Sequence, residues 1–92
     1  MSQVLNAAQA EEVVVASGAE AAFDLGMAFS SGACGMAVDL VQAHRWLNVA
    51  ALCGYAPAQA WRAEIAAEMS PGDVIAAQRL ARATMAAMPK AA

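Results

Sequence analysis

The chain has 92 residues, enough for one small domain and no second core. It is 61% hydrophobic, yet 27 of its residues are alanine and only two Phe, two Trp and one Tyr supply rings, so helices in close approach are expected rather than a core of large side chains. The net charge is −3 with no cluster of Lys or Arg, which excludes a nucleic-acid footprint, and the longest charge-free stretches (25–38 and 46–61) are shorter than the roughly 18 residues of a membrane span.

The only β-branched run is Val13-Val14-Val15, and the three prolines, Pro57, Pro71 and Pro89, fall at segment boundaries, so the fold class is all-α. Residues 3–16 make a first helical segment, with Val4, Ala7, Ala8, Val14 and Val15 as its buried side. Gly18 ends it, and Ser17 with Glu20 has the spacing of a capping box for a second helix over 19–31. On that helix Ala22, Leu25 and Phe29 recur at three- and four-residue steps, with Ala21 on the flank. A connection bearing Gly32 and Gly35 leads to Asp39, which with Gln42 reads as another capping box.

The third helix covers about 40–53 and ends at Gly54; Leu40, Ala43, Leu47, Ala50 and Ala51 line its inner side, with Trp46 at the edge. Pro57 suits the first turn of a fourth helix to about Met69, on which Ala58, Trp61, Ile65 and Met69 repeat. Ser70-Pro71-Gly72-Asp73 is the clearest start signal, with Ser as cap and Pro at the first helical position. The fifth helix runs to about Met88 with a stripe of Val74, Ala77, Leu80 or Ala81, Thr84 and Met88, leaving Arg79 and Arg82 mostly outside it.

A shift of 36 residues brings Gly18 onto Gly54, Ala22 onto Ala58, Leu25 onto Trp61 and Phe29 onto Ile65, the period of a stacked helix–turn–helix array. Leu25, Gly26, Phe29 (for Tyr), Gly32, Asp39, Ala43, Trp46, Ala50, Ala51, Gly54 and Ala58 follow the spacing Leu-Gly-x-x-Tyr-x-x-Gly, then Asp, then Ala-x-x-Trp-x-x-x-Ala-Ala-x-x-Gly-x-x-x-Ala, and Ala22 is counted with them as a signature position. In this the chain resembles the Sel-one-like repeats, relatives of the tetratricopeptide repeats. The resemblance covers one full repeat (19–54), followed by a half repeat (55–69) and a capping helix (70–88), with a preceding half before it. It implies a short α/α solenoid of about five helices. Arg62 and Glu68 depart from the pattern, standing where a second unit would have glycine.

No catalytic constellation emerges. His44, the sole histidine, has only Asp39 and Asn48 as polar residues at helical reach and is expected to face solvent. Cys34, Cys53 and His44 lack the pairing and fourth ligand of a zinc site, so no metal or cofactor is expected. Two cysteines are too few for a disulfide framework, and Met1-Ser2-Gln3-Val4-Leu5-Asn6 lacks the pattern of a signal peptide, so reduced thiols and a cytoplasmic setting are expected. Cys53 is expected to be a small packed residue. Trp46 is expected in the core, whereas Met27 and Met36 lie off the inner stripe or in the loop.

The resemblance implies a non-catalytic interaction module that holds a partner protein, or a second copy of itself, on the concave face formed by the first helix of each unit. The outward positions there are Asp24, Met27, Ala28, Gln59, Arg62 and Ala63. A small obligate subunit or assembly factor of a larger complex is the alternative, and an enzyme a distant third.

Overall fold

A computed structural model describes residues 18–88; the expected first segment over 3–16, and Ser17 of the capping box expected for the next helix, lie outside them, and Gly18 stands at the N-cap of that helix with no side-chain cap bond. Four α-helices follow one another: α1 (Ala19–Ser31), α2 (Leu40–Leu52), α3 (Pro57–Ala67) and α4 (Pro71–Ala87), with one 3₁₀ turn (Ala33–Gly35) between α1 and α2. No strand occurs among the described residues. The helix ends lie within two residues of their expected places.

Each boundary has a local cause. Gly32 ends α1 in the left-handed conformation (φ 75°), a Cβ there would meet the Met36 carbonyl oxygen at 3.2 Å, and its N–H donates to the Ala28 carbonyl at 2.8 Å. The Ser30 and Ser31 hydroxyls both donate to the Met27 carbonyl, at 2.8 and 2.9 Å, tightening the last turn. The extended chain after the 3₁₀ turn is fastened by the Asp39 N–H, which donates to the Phe29 carbonyl at 3.0 Å.

Asp39 caps α2 through Oδ1, which accepts from the Gln42 N–H at 3.1 Å. The reciprocal half of that capping box does not form: the Gln42 side-chain oxygen accepts from Arg45 Nη1 at 3.1 Å instead, and the Asp39 N–H is already committed to Phe29. α2 ends in a Schellman turn, with the Tyr55 N–H donating to Ala50 (2.9 Å) and the Gly54 N–H to Ala51 (3.0 Å) around Gly54 at φ 95°. The Tyr55 ring that follows stacks obliquely on Phe23 of α1, centroids 4.9 Å apart. Ser70 caps α4 by accepting from the Asp73 N–H at 3.1 Å.

α2 is the hub. α1, α3 and α4 each pack against it, while contacts among those three are sparse. Every residue from Ala43 to Asn48 and on through Ala50 is therefore buried, whichever way it points from the axis. Trp46, Leu47 and Val49 are fully enclosed, with Ala22, Leu25 and Phe29 from α1, Ala58 and Ile65 from α3, and Ala77 and Ala81 from α4. The closest approach is at Gly26, where an added Cβ would lie 2.7 Å from Leu47 Cγ and 3.1 Å from the Ala43 carbonyl oxygen. No residue but glycine leaves α1 and α2 at this separation.

Four expectations about burial are corrected. His44 is 2% exposed rather than facing solvent, because α2 has neighbours on all sides. Met36 belongs to the core, since the extended segment folds it inward under the α1 end. Cys53 is exposed and its thiol lies 3.9 Å from Met85 Sδ, because the helix ends one residue before it. Trp61, which the register aligns with Leu25, is 43% exposed, because α3 buries only Ala58 and Ile65 deeply.

Candidate interaction surface

The face expected to meet a partner is carried by α1 and α3. Asp24, Gln59 and Ala63 are exposed, and Met27, Ala28 and Arg62 are half-buried. Their two helices each pack on α2 with little mutual contact, and among the described residues no hydrogen bond joins the three α1 positions to the three on α3. Met27 packs its side chain against the core, as does Ala28.

Arg62 does not project freely. Its Nη1 donates to Asn48 Oδ1 on α2 at 2.6 Å, so the residue that replaces a pattern glycine ties α3 back to the hub. Asn48 lies one turn beyond His44 on the same side of α2, and both are buried. His44 Nδ1 has no hydrogen-bond partner. Burial in the first place, and then the Arg62 guanidinium nearby, hold the imidazole below its ordinary pKa of 6.5, so it is neutral near pH 7. Among the described residues no carboxylate pairs with Arg62.

A second polar bridge joins α2 to α4. The Arg45 guanidinium donates to Thr84 Oγ1 from Nε (3.0 Å) and Nη2 (2.8 Å), and the Thr84 hydroxyl donates in turn to the Leu80 carbonyl at 2.9 Å. The guanidinium also stands 4.4 Å from the centroid of the Trp46 ring, a cation–π contact. Trp46 Nε1, by contrast, is buried without a partner. Burying such an N–H unmet costs about 1–3 kcal/mol, which the area buried by the indole offsets.

Arg62 stands among the expected partner-face residues, but its bond to Asn48 and the burial of His44 and Asn48 beside it were not foreseen from the sequence. The signal was present on the helical wheel, since Leu40, Val41, Ala43, Trp46, Leu47, Val49, Ala50, Ala51 and Leu52 together set apolar side chains around most of the circumference of α2. A helix apolar over so wide an arc is surrounded, and its remaining polar residues must find partners inside.

Among the described residues, no three of His, Cys, Asp and Glu come together as a metal site, and no helix is long and apolar enough to cross a membrane. Larger apolar side chains do reach the surface: Val38, Leu52, Trp61 and Ile75. Compared with known protein families, curated proteins and solved structures, the chain matches none.

Proposed function

We propose that this protein is a non-catalytic interaction module, a short α/α solenoid of the Sel-one-like kind, that holds a partner protein along α1 and α3 through Asp24, Met27, Ala28, Gln59, Arg62 and Ala63. The observation that carries the reading is the fate of the repeat positions. Ala22, Ala43, Trp46, Ala50 and Ala58 are fully buried, and Gly26 sits where a Cβ would collide with Leu47. Residues spaced in that pattern are thus the ones at which helices touch, as a stacked helix-pair unit requires. Stacking of this sort leaves one side of the first helices for a partner.

The test uses exposed positions so that folding is not disturbed. With a partner in hand, Asp24→Lys and Gln59→Glu together are expected to weaken binding while helix content and melting stay unchanged. Arg79→Gln with Arg82→Gln, on the exposed side of α4, is expected to leave it intact. The opposite result would move the interface to α4. The exposed Trp61, Ile75, Leu52 and Val38 favour a second reading, an obligate subunit whose apolar side chains are covered in a larger complex. Gel filtration separates the two: a folded monomer supports the adaptor, self-association or unfolding of the isolated chain the obligate subunit.

A further inference from the structure

We propose that the α2–α3 seam at Arg62, Asn48 and His44 is a binding site for a carboxylate, presented by an acidic segment of a partner polypeptide. This deepens the adaptor reading and rests on it, since Arg62 belongs to the partner face. The first ground is charge. Arg62 is a half-buried guanidinium whose one hydrogen bond among the described residues goes to a neutral amide. A guanidinium has five N–H donors in a fixed fork that matches a carboxylate, and here most of the fork is unspent. α2 contributes no acidic residue, and the one acid of α3, Glu64, is exposed two positions from Arg62, on a different side of the helix.

Asn48 supplies the second ground. With Oδ1 engaged by Arg62, the Asn48 amide still has its two N–H donors, which meet no acceptor among the described residues. Guanidinium and amide donors side by side make a binding edge for an anion and repel a cation. The third is His44, buried one turn away with Nδ1 unmet. Its imidazole is neutral beside the bare guanidinium, and a bound carboxylate would favour the protonated ring, so occupancy and the charge of His44 are linked. The three groups are thus poised for negative charge that this part of the chain does not provide.

Because His44 is the only histidine, its ring resonances report on the seam alone in the full-length protein. The probe is a blocked tripeptide of glutamates, titrated at fixed ionic strength while the His44 ring signals are followed by NMR. Saturable shifts are expected, with the His44 titration midpoint moving up on binding, and the matching glutamine tripeptide is expected to do nothing. Arg62→Gln is expected to weaken binding about tenfold or more, and Arg62→Lys, which keeps the charge but loses the fork, by less. Arg79→Gln, on an exposed cation of α4, is expected to leave it unchanged.

Equal shifts from the glutamine peptide, no saturation, or equal losses from Arg79→Gln would overturn the proposal. So would inorganic phosphate binding as tightly as the peptide, which would assign a general oxyanion site. Peptide binding seen only after Glu11→Gln and Glu12→Gln would assign the place to this chain's own glutamates and overturn it as well. Should a partner bind through Asp24 and Gln59 while the glutamate peptide does not bind, this inference fails and the adaptor reading stands.

Discussion

The two sides of α2 are built on opposite terms. One side, Ala43, Trp46, Leu47 and Ala50, meets its neighbours at van der Waals distance, to the point that Gly26 of α1 has no room for a methyl group. The other side, His44, Arg45 and Asn48, is joined to α3 and α4 by long arms and hydrogen bonds, Arg62 to Asn48 and Arg45 to Thr84. The first arrangement fixes two helices at a single spacing. The second adds directional hydrogen bonds to the packing of Ala58 and Ile65 from α3 and of Ala77 and Ala81 from α4.

The largest expected effect breaks the apolar side. Trp46→Ala removes the largest fully buried side chain and should cost about 3–5 kcal/mol, read as a collapse of thermal melting. An unchanged melting temperature would contradict the enclosure of the indole. Next, Gly26→Val should cost about 1–3 kcal/mol, because its Cβ must displace Leu47 or lift α1 off the Ala43 carbonyl. Even Gly26→Ala is expected to destabilise, against the usual gain of alanine over glycine inside a helix. Chemical denaturation of the three proteins orders them directly.

On the polar side the effects shrink. Thr84→Val keeps the shape but takes away the acceptor of two Arg45 N–H groups, and should cost about 1–3 kcal/mol in urea unfolding. A pH series then isolates His44. Its folded pKa lies below 6.5 while the unfolded chain keeps the ordinary value, so on acidification the unfolded state takes up the proton first. Stability is therefore complete above about pH 6.5 and declines as the pH drops through the lowered folded value. His44→Gln should flatten that part of the profile and leave the rest. An unaltered slope in the variant would mean that another group carries it. The smallest effect is expected at Arg82→Gln, exposed on α4, within about 0.5 kcal/mol of zero.

What could be read from the sequence follows the same division. The glycine and proline boundaries, the Asp39 and Ser70 caps, and the apolar stripe of α1 depend on neighbours three or four residues away, and all three were legible. The same is true of Trp46 in the core. The burial of His44, Arg45 and Asn48 depends on α3 and α4 arriving from beyond residue 56, and a one-faced view of α2 assigned His44 to solvent. Gln42 shows the limit at the smallest scale: its spacing from Asp39 suits a reciprocal cap, yet Arg45 offers a charged donor one turn on, and the side chain goes there. For the proposed partner face, the resemblance named Met27 and Arg62 and could not tell that Arg62 turns back onto Asn48.

The bond from the Asp39 N–H to the Phe29 carbonyl also has a bearing on time. It closes a loop of only ten residues, and the α1–α2 hairpin it completes can form from contacts near in sequence. The Arg45–Thr84 bridge, at 39 residues' separation, requires a far larger chain closure and comes at greater entropic cost. The hairpin is thus the natural nucleus, with α4 docking afterwards. Substitution at Gly26 should chiefly slow refolding, whereas substitution at Thr84 should chiefly hasten unfolding, a split that stopped-flow chevrons would resolve.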